Sequence, residues 1–197
     1  TPEGKFVWPH LNTPNTKFDD DGVYEVRVQL DQNAEGVAEF MQNLTKTFDD
    51  YYVDVCKEKN KKVKTVKFYK THDDDENIPS DHVDLKFKMK ASGSNKGETW
   101  QQRPALFDSK GNSINKSLED SNEKIEAGST GKVSFEVSPY FVPAIGAGLS
   151  LRLKACQVIS MVSFSGGGGG MDSYGFTETN GFTGESTDTT NSEYDFA

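Results

Sequence analysis

A small closed β-barrel carrying one inserted helix is the fold this sequence predicts. Three observations predict it. Apolar and polar residues alternate with a period of two in several stretches between residues 6 and 164, and one stretch alone switches to helical spacing. Gly, Asn and Asp clusters punctuate the rest as turns. At 197 residues the chain is long enough for one substantial core.

Phe6-Val7-Trp8 reads as a short strand ending at Pro9, followed by a polar loop. From Gly22 a clear strand begins, with Tyr24, Val26, Val28 and Leu30 on one face and Glu25, Arg27 and Gln29 on the other. Val37, Phe40, Met41, Leu44, Phe48, Tyr51, Tyr52 and Val55 then recur at spacings of three and four. They predict one amphipathic helix to about residue 60, with Asn33 as its N-cap and Lys57, Lys59, Lys61 and Lys62 at its C-terminal end. After a polar loop from His72 to His82, Val83, Leu85, Phe87 and Met89 alternate with Asp84, Lys86, Lys88 and Lys90. "SGSNKGE" reads as a hairpin connection and Thr99 to Phe107 as the returning strand, with Pro104 marking an edge or bulge. "DSKGN" is a turn, Lys132 to Ser138 a strand, and "PYFVPAIGAG" a loop. The last strand runs from Leu149 to Phe164 and shifts phase near Gln157, as a bulge would make it do. Strands of this length with a bulge favour a five-stranded barrel of the OB type, an all-β fold; a β-sandwich is the alternative.

Charge is unevenly spread. The net charge is −9, yet six of the 31 acids and none of the 22 bases lie from Ser165 onward, leaving −3 for residues 1–164. Acids also cluster at Asp19-Asp20-Asp21 and Asp73-Asp74-Asp75-Glu76, so a basic face remains available on the body. Beyond Phe164 periodicity ends and a run of five glycines begins, which predicts a 1–164 domain and a 165–197 linker and acidic tail without a packed core. Cys56 and Cys156 form no CxxC pair and lie in apolar-periodic segments, as expected of small hydrophobes in a reducing compartment. No signal peptide or membrane-length apolar run is visible, so a soluble intracellular protein is expected.

Catalytic and metal motifs fail on spacing. "GSTGKVS" has a misplaced first glycine and Val133 where a phosphate loop needs Ser or Thr. "GAGLSL" precedes a strand, and "KFDDDG" would place Lys17 and Val28 at ligand positions of a calcium loop. His72 and His82 bracket four acids, a pattern better explained by a solvated loop than by a metal. The sequence predicts no enzyme, no metal and no cofactor.

What remains is basic and aromatic. Lys86, Lys88 and Lys90 share the face opposite the packed Leu85 and Phe87, about 7 Å apart per step. Trp100 and Arg103 lie in the adjoining hairpin, and Arg152 and Lys154 share an outward face of the last strand. Tyr140 and Phe141 stand between Pro139 and Pro143. Aromatic platforms beside a basic groove meet the needs of a single-stranded nucleic acid, whose bases all stack and whose phosphates are all charged. These nine residues are the expected DNA contacts.

In order, "GVYEVRVQL", the long helix, "LKFKMKAS", "FDSKGN", "VSPYFVPAIGAGLSLRL" and the glycine run before an acidic tail resemble the single-stranded-DNA-binding protein of short-tailed, T-seven-like phages. The resemblance spans most of the chain. It implies an OB barrel that coats single-stranded DNA in replication, recombination and repair and anneals complementary strands, with Tyr140 as the cleft aromatic. It further implies a tail that contacts the phage DNA polymerase and helicase-primase, here through Asp172, Glu178, Glu185, Asp188, Glu193, Tyr194, Asp195 and Phe196. The setting it implies is the cytoplasm of the infected bacterial host; a homodimer is compatible with it and a membrane partner is not expected. Asp21 stands where the family pattern has a basic residue, and the tail is diluted with Thr, Ser and Asn and ends in Ala197 after Phe196. The rival function is a β-sandwich protein-interaction module with a tail that mimics nucleic acid.

Overall fold

The computed structural model describes residues 1–162. The expected tail, with its eight partner-contact residues, lies outside the described residues. In chain order the elements are β1 (Gly4–Asn15), β2 (Val23–Asp31), α1 (Val37–Lys59), β3 (Tyr69–Lys70), β4 (His82–Lys90), β5 (Ser92–Asn95) and β6 (Glu98–Gln101). They continue as β7 (Ala105–Phe107), α2 (Asn115–Ser121), β8 (Thr130–Val142) and β9 (Gly146–Ser160).

Five strands close a ring in the order β1, β2, β4, β9, β8 and back to β1. Four of its junctions are antiparallel; the junction of β4 with β9, at Lys88 opposite Arg152, is parallel. A five-stranded Greek-key barrel of this kind is the OB architecture. Alternation drives it: β2 buries Tyr24, Val26, Val28 and Leu30, and β4 buries Val83, Leu85 and Phe87. The Phe87 ring lies 4.9 Å from that of Phe135, which meets Phe40 of α1 edge-on at 6.0 Å, tying helix to barrel. At the closing seam of β1 and β8, a Cβ on Gly131 would lie 2.1 Å from the Gln157 carbonyl oxygen, so only glycine fits there. Cys156 is a core residue; burial pushes its thiol up to about 12, out of nucleophilic range.

Several boundaries differ from expectation. Pro9 does not end the first strand: Trp8 and Pro9 together face Val26 in a bulge, and β1 runs on to Asn15. Helix α1 starts after Gly36, not Asn33, whose backbone N–H instead bonds Asp31. The stretch from Thr99 to Phe107 is two strands. β6 pairs only with β5 in a separate ribbon, and β7 runs parallel to β9 beyond Pro104. "PYFV" is strand, since β8 extends to Val142 and the turn is confined to Pro143–Ile145. The bulge in β9 sits at Lys154, skipped between the pairs Phe135–Leu153 and Ser134–Ala155, with a second at Ile159. The short α2 was missed. It is fixed by Asn115, whose side chain accepts from the Leu106 N–H and donates to the Pro104 carbonyl, and by the buried Leu118.

Candidate nucleic-acid interface

The outer face of the barrel is defined by register. His10 faces Glu25, Glu25 faces Lys88, Lys88 faces Arg152, and Arg152 faces Glu136. Directly opposed residues point to the same side of a sheet. This row therefore crosses all five barrel strands on the solvent side.

Where β4 meets β9 the row opens into a cleft of about 590 Å³ lined by Lys88, Lys90, Trp100, Arg152 and Lys154, with Met89, Gln102 and Ser150 between them. Five of the nine expected contact residues thus come together. Trp100 reaches the cleft from β6 by crossing Gly93, where a Cβ would lie 2.6 Å from the indole. Tyr140 does not line the cleft but shares its face. It pairs with Gly148, two ladder steps from Arg152, through Ser138–Ser150 and Glu136–Arg152. A Cβ on Gly148 would lie 2.6 Å from the Tyr140 hydroxyl oxygen, so that glycine lets the ring lie against the strand.

The other three residues diverge. Phe141 takes the opposite face of β8, 5.6 Å from the ammonium of Lys59 at the end of α1, because neighbouring residues of a strand point to opposite sides. Arg103 turns to a neighbouring hollow and pairs with Glu119. Lys86 borders a separate hollow with Arg27 and Tyr69.

Acids that sequence reasoning did not assign to the site sit among the bases. Glu25 accepts from Lys86 at 2.7 Å and lies 3.9 Å from Lys88. Lys90 is 3.5 Å from Asp19 and 3.8 Å from Asp21, and Lys154 is 2.9 Å from Glu136. Arg152 enters none of the ion pairs found among the described residues. Burial raises the Glu25 carboxyl, but the hydrogen bond and charge of Lys86, aided by Asn15 and Lys88, bring it below the usual carboxylate range. Burial and the Lys86 charge pull the Lys88 ammonium below its ordinary value, against the attraction of Glu25. At Lys86, Lys88, Lys90 and Lys154 a polyanion would have to displace these carboxylates, whereas at Arg152 it would not. The signal for this was present: Glu25 alternates on the polar face of its strand, and only the register was missing.

Glu25→Gln frees Lys86 and Lys88, and is expected to tighten single-stranded DNA binding a few-fold at low salt, the scale of one exposed ion pair. At high salt the gain should shrink, which anisotropy titrations at two ionic strengths would read. Weaker binding would mean that Glu25 holds Lys86 in position for the strand.

An OB barrel whose outer face carries a basic cleft and accessible aromatics defines a class, the barrels that take nucleic-acid strands across their face. Residues 8–161 match the family model described as single-stranded DNA-binding protein, bacteriophage T7. The chain belongs to that family of phage single-stranded-DNA-binding proteins. The crystal structure of gp2.5, a single-stranded DNA-binding protein encoded by bacteriophage T7, superposes with a TM-score of 0.67 at 21% identity, covering 94% of this chain and 97% of that one. The single-stranded DNA-binding protein of bacteriophage Enc34, solved in complex with ssDNA, gives 0.57 at 12% identity, covering 83% and 86%. No curated protein matches the sequence.

Proposed function

We propose that this chain coats single-stranded DNA during phage replication, recombination and repair, holding the strand along the outer face where β4 meets β9. The observation that carries this reading is the cleft in which Lys88, Lys90, Arg152 and Lys154 converge with Trp100, with Tyr140 further along the same face. The cations take phosphates, and the ring faces take bases of any identity. The long α1 spends its apolar face on the barrel and α2 has only seven residues, so among the described residues no recognition helix is left for a duplex groove. Strand annealing, and recruitment of a DNA polymerase and helicase-primase through the acids and the aromatic tip of residues 165–197, extend the proposal to the tail. So does action in the host cytoplasm. Support for the tail is its lack of any base.

Titration with oligo(dT) is the test. Intrinsic fluorescence should quench, and log affinity should fall linearly with log salt. Arg152→Ala should flatten that slope by about 0.7, one phosphate contact on a single strand. A duplex of equal length should bind more weakly at the same salt; equal affinity would overturn the preference.

A further inference from the structure

The geometry points to Trp8 as a second base-stacking platform, on the outer face of β1, that takes single-stranded DNA as it leaves the cleft. This inference rests on the proposed function and extends its site by two strands.

Among the described residues four non-glycine residues have positive φ, and three sit at a helix end or in a tight turn. Asn60 and Asn122 close helices, where asparagine tolerates the left-handed conformation, and Lys96 precedes Gly97 in the tight β5–β6 turn. Trp8, at φ 51, stands at neither, but in the bulge of β1. A bulky side chain is disfavoured in that region, and the following Pro9 restricts it further. A bulge that needs a left-handed residue ordinarily takes glycine. The sequence places an indole there instead, 71% exposed. Burial therefore does not explain the residue, and strain of this kind collects where a side chain is held for contact with a ligand.

Position says which ligand. The bulge lies between the pairs Val7–Arg27 and His10–Glu25, and these continue across β2 to Lys86 and Lys88. β1 is two strands from β4, so the indole sits about 10 Å across the sheet from the lysine row. Lys5, Arg27 and Lys86 supply positive charge along this path, against Glu25, which pairs with Lys86, and Asp75, 3.9 Å from Arg27. An exposed ring continuous with a basic row suits an unpaired base followed by its phosphate.

The test compares Trp8→Gly and Trp8→Phe with the wild-type full chain, using labelled dT oligomers of about 4 and 16 nucleotides, the range of one OB-fold site. Trp8→Gly should bind the 16-mer roughly tenfold more weakly, as expected for one lost stacking partner. Binding of the 4-mer, held by the cleft alone, should barely change. The melting temperature should hold or rise, because glycine relieves the backbone, and Trp8→Phe should restore most of the affinity. Unchanged 16-mer affinity in Trp8→Gly, while wild type binds, would overturn the platform and leave the cleft standing. A fall in melting temperature that Trp8→Phe reverses without restoring affinity would make Trp8 structural. If Trp8→Gly instead turns a dimer into a monomer on sedimentation, with affinity per chain unaltered, the surface is a protein contact and the platform is wrong. Failure of wild type to bind either oligomer would defeat the proposed function itself.

Discussion

Phe87→Ala is expected to cost about 3–5 kcal/mol of folding stability, the range for an aromatic removed from a packed core. Phe87 is fully buried, and its ring contacts Phe135, which in turn meets Phe40. Its loss would therefore loosen the barrel and the seat of α1 together. Against a total stability on the order of 5–15 kcal/mol, the variant stands close to unfolding. Urea denaturation gives the number. Phe87→Leu, which keeps much of the volume, should lose clearly less. Because Phe87 alternates with Lys86 and Lys88 on β4, residual binding should track the folded fraction. A loss below about 1 kcal/mol would mean that the neighbours collapse into the space.

Tyr140→Ala should weaken single-stranded DNA binding by about 1–3 kcal/mol while leaving the urea midpoint nearly unchanged. The ring lies outside the barrel against Gly148, so its removal opens no cavity in the core. Tyr140→Phe should bind almost as wild type, since stacking uses the ring face and not the hydroxyl. If alanine unfolds the protein, the ring is holding the arm formed by β8 and β9, and the strand runs elsewhere.

The elements read well from sequence were those whose signal is local. The alternation of β2 and β4 and the helical spacing of α1 survive because each buries one continuous face. Prolines misled. Pro139 reads as loop, yet beyond Gly131 β8 pairs only with β9, and a strand with a free edge accommodates a missing N–H. Seven-residue α2 has too few turns to show a period, and its anchor Asn115 works through contacts with Pro104 and Leu106. At the site, residue types were legible and partners were not. Lys88, Lys90, Trp100, Arg152 and Lys154 converge as their chemistry predicts. Phe141 and Arg103 depart because strand parity and the position of Glu119 are matters of tertiary structure.

The parallel contact between β4 and β9 also sets an order of events during synthesis. β1 and β2 are neighbours in sequence, as are β8 and β9, so each pair can form soon after it is made. The junction at Lys88 and Arg152 joins distant parts of the chain and must wait for β9, the last of the described strands to be made. The basic cleft lies on this junction. If the cleft is the DNA site proposed above, a nascent chain has no complete groove to offer nucleic acid, and competence to bind arrives with the closing of the barrel. On the proposed reading, a DNA strand bound afterwards spans this junction and favours the closed barrel by mass action.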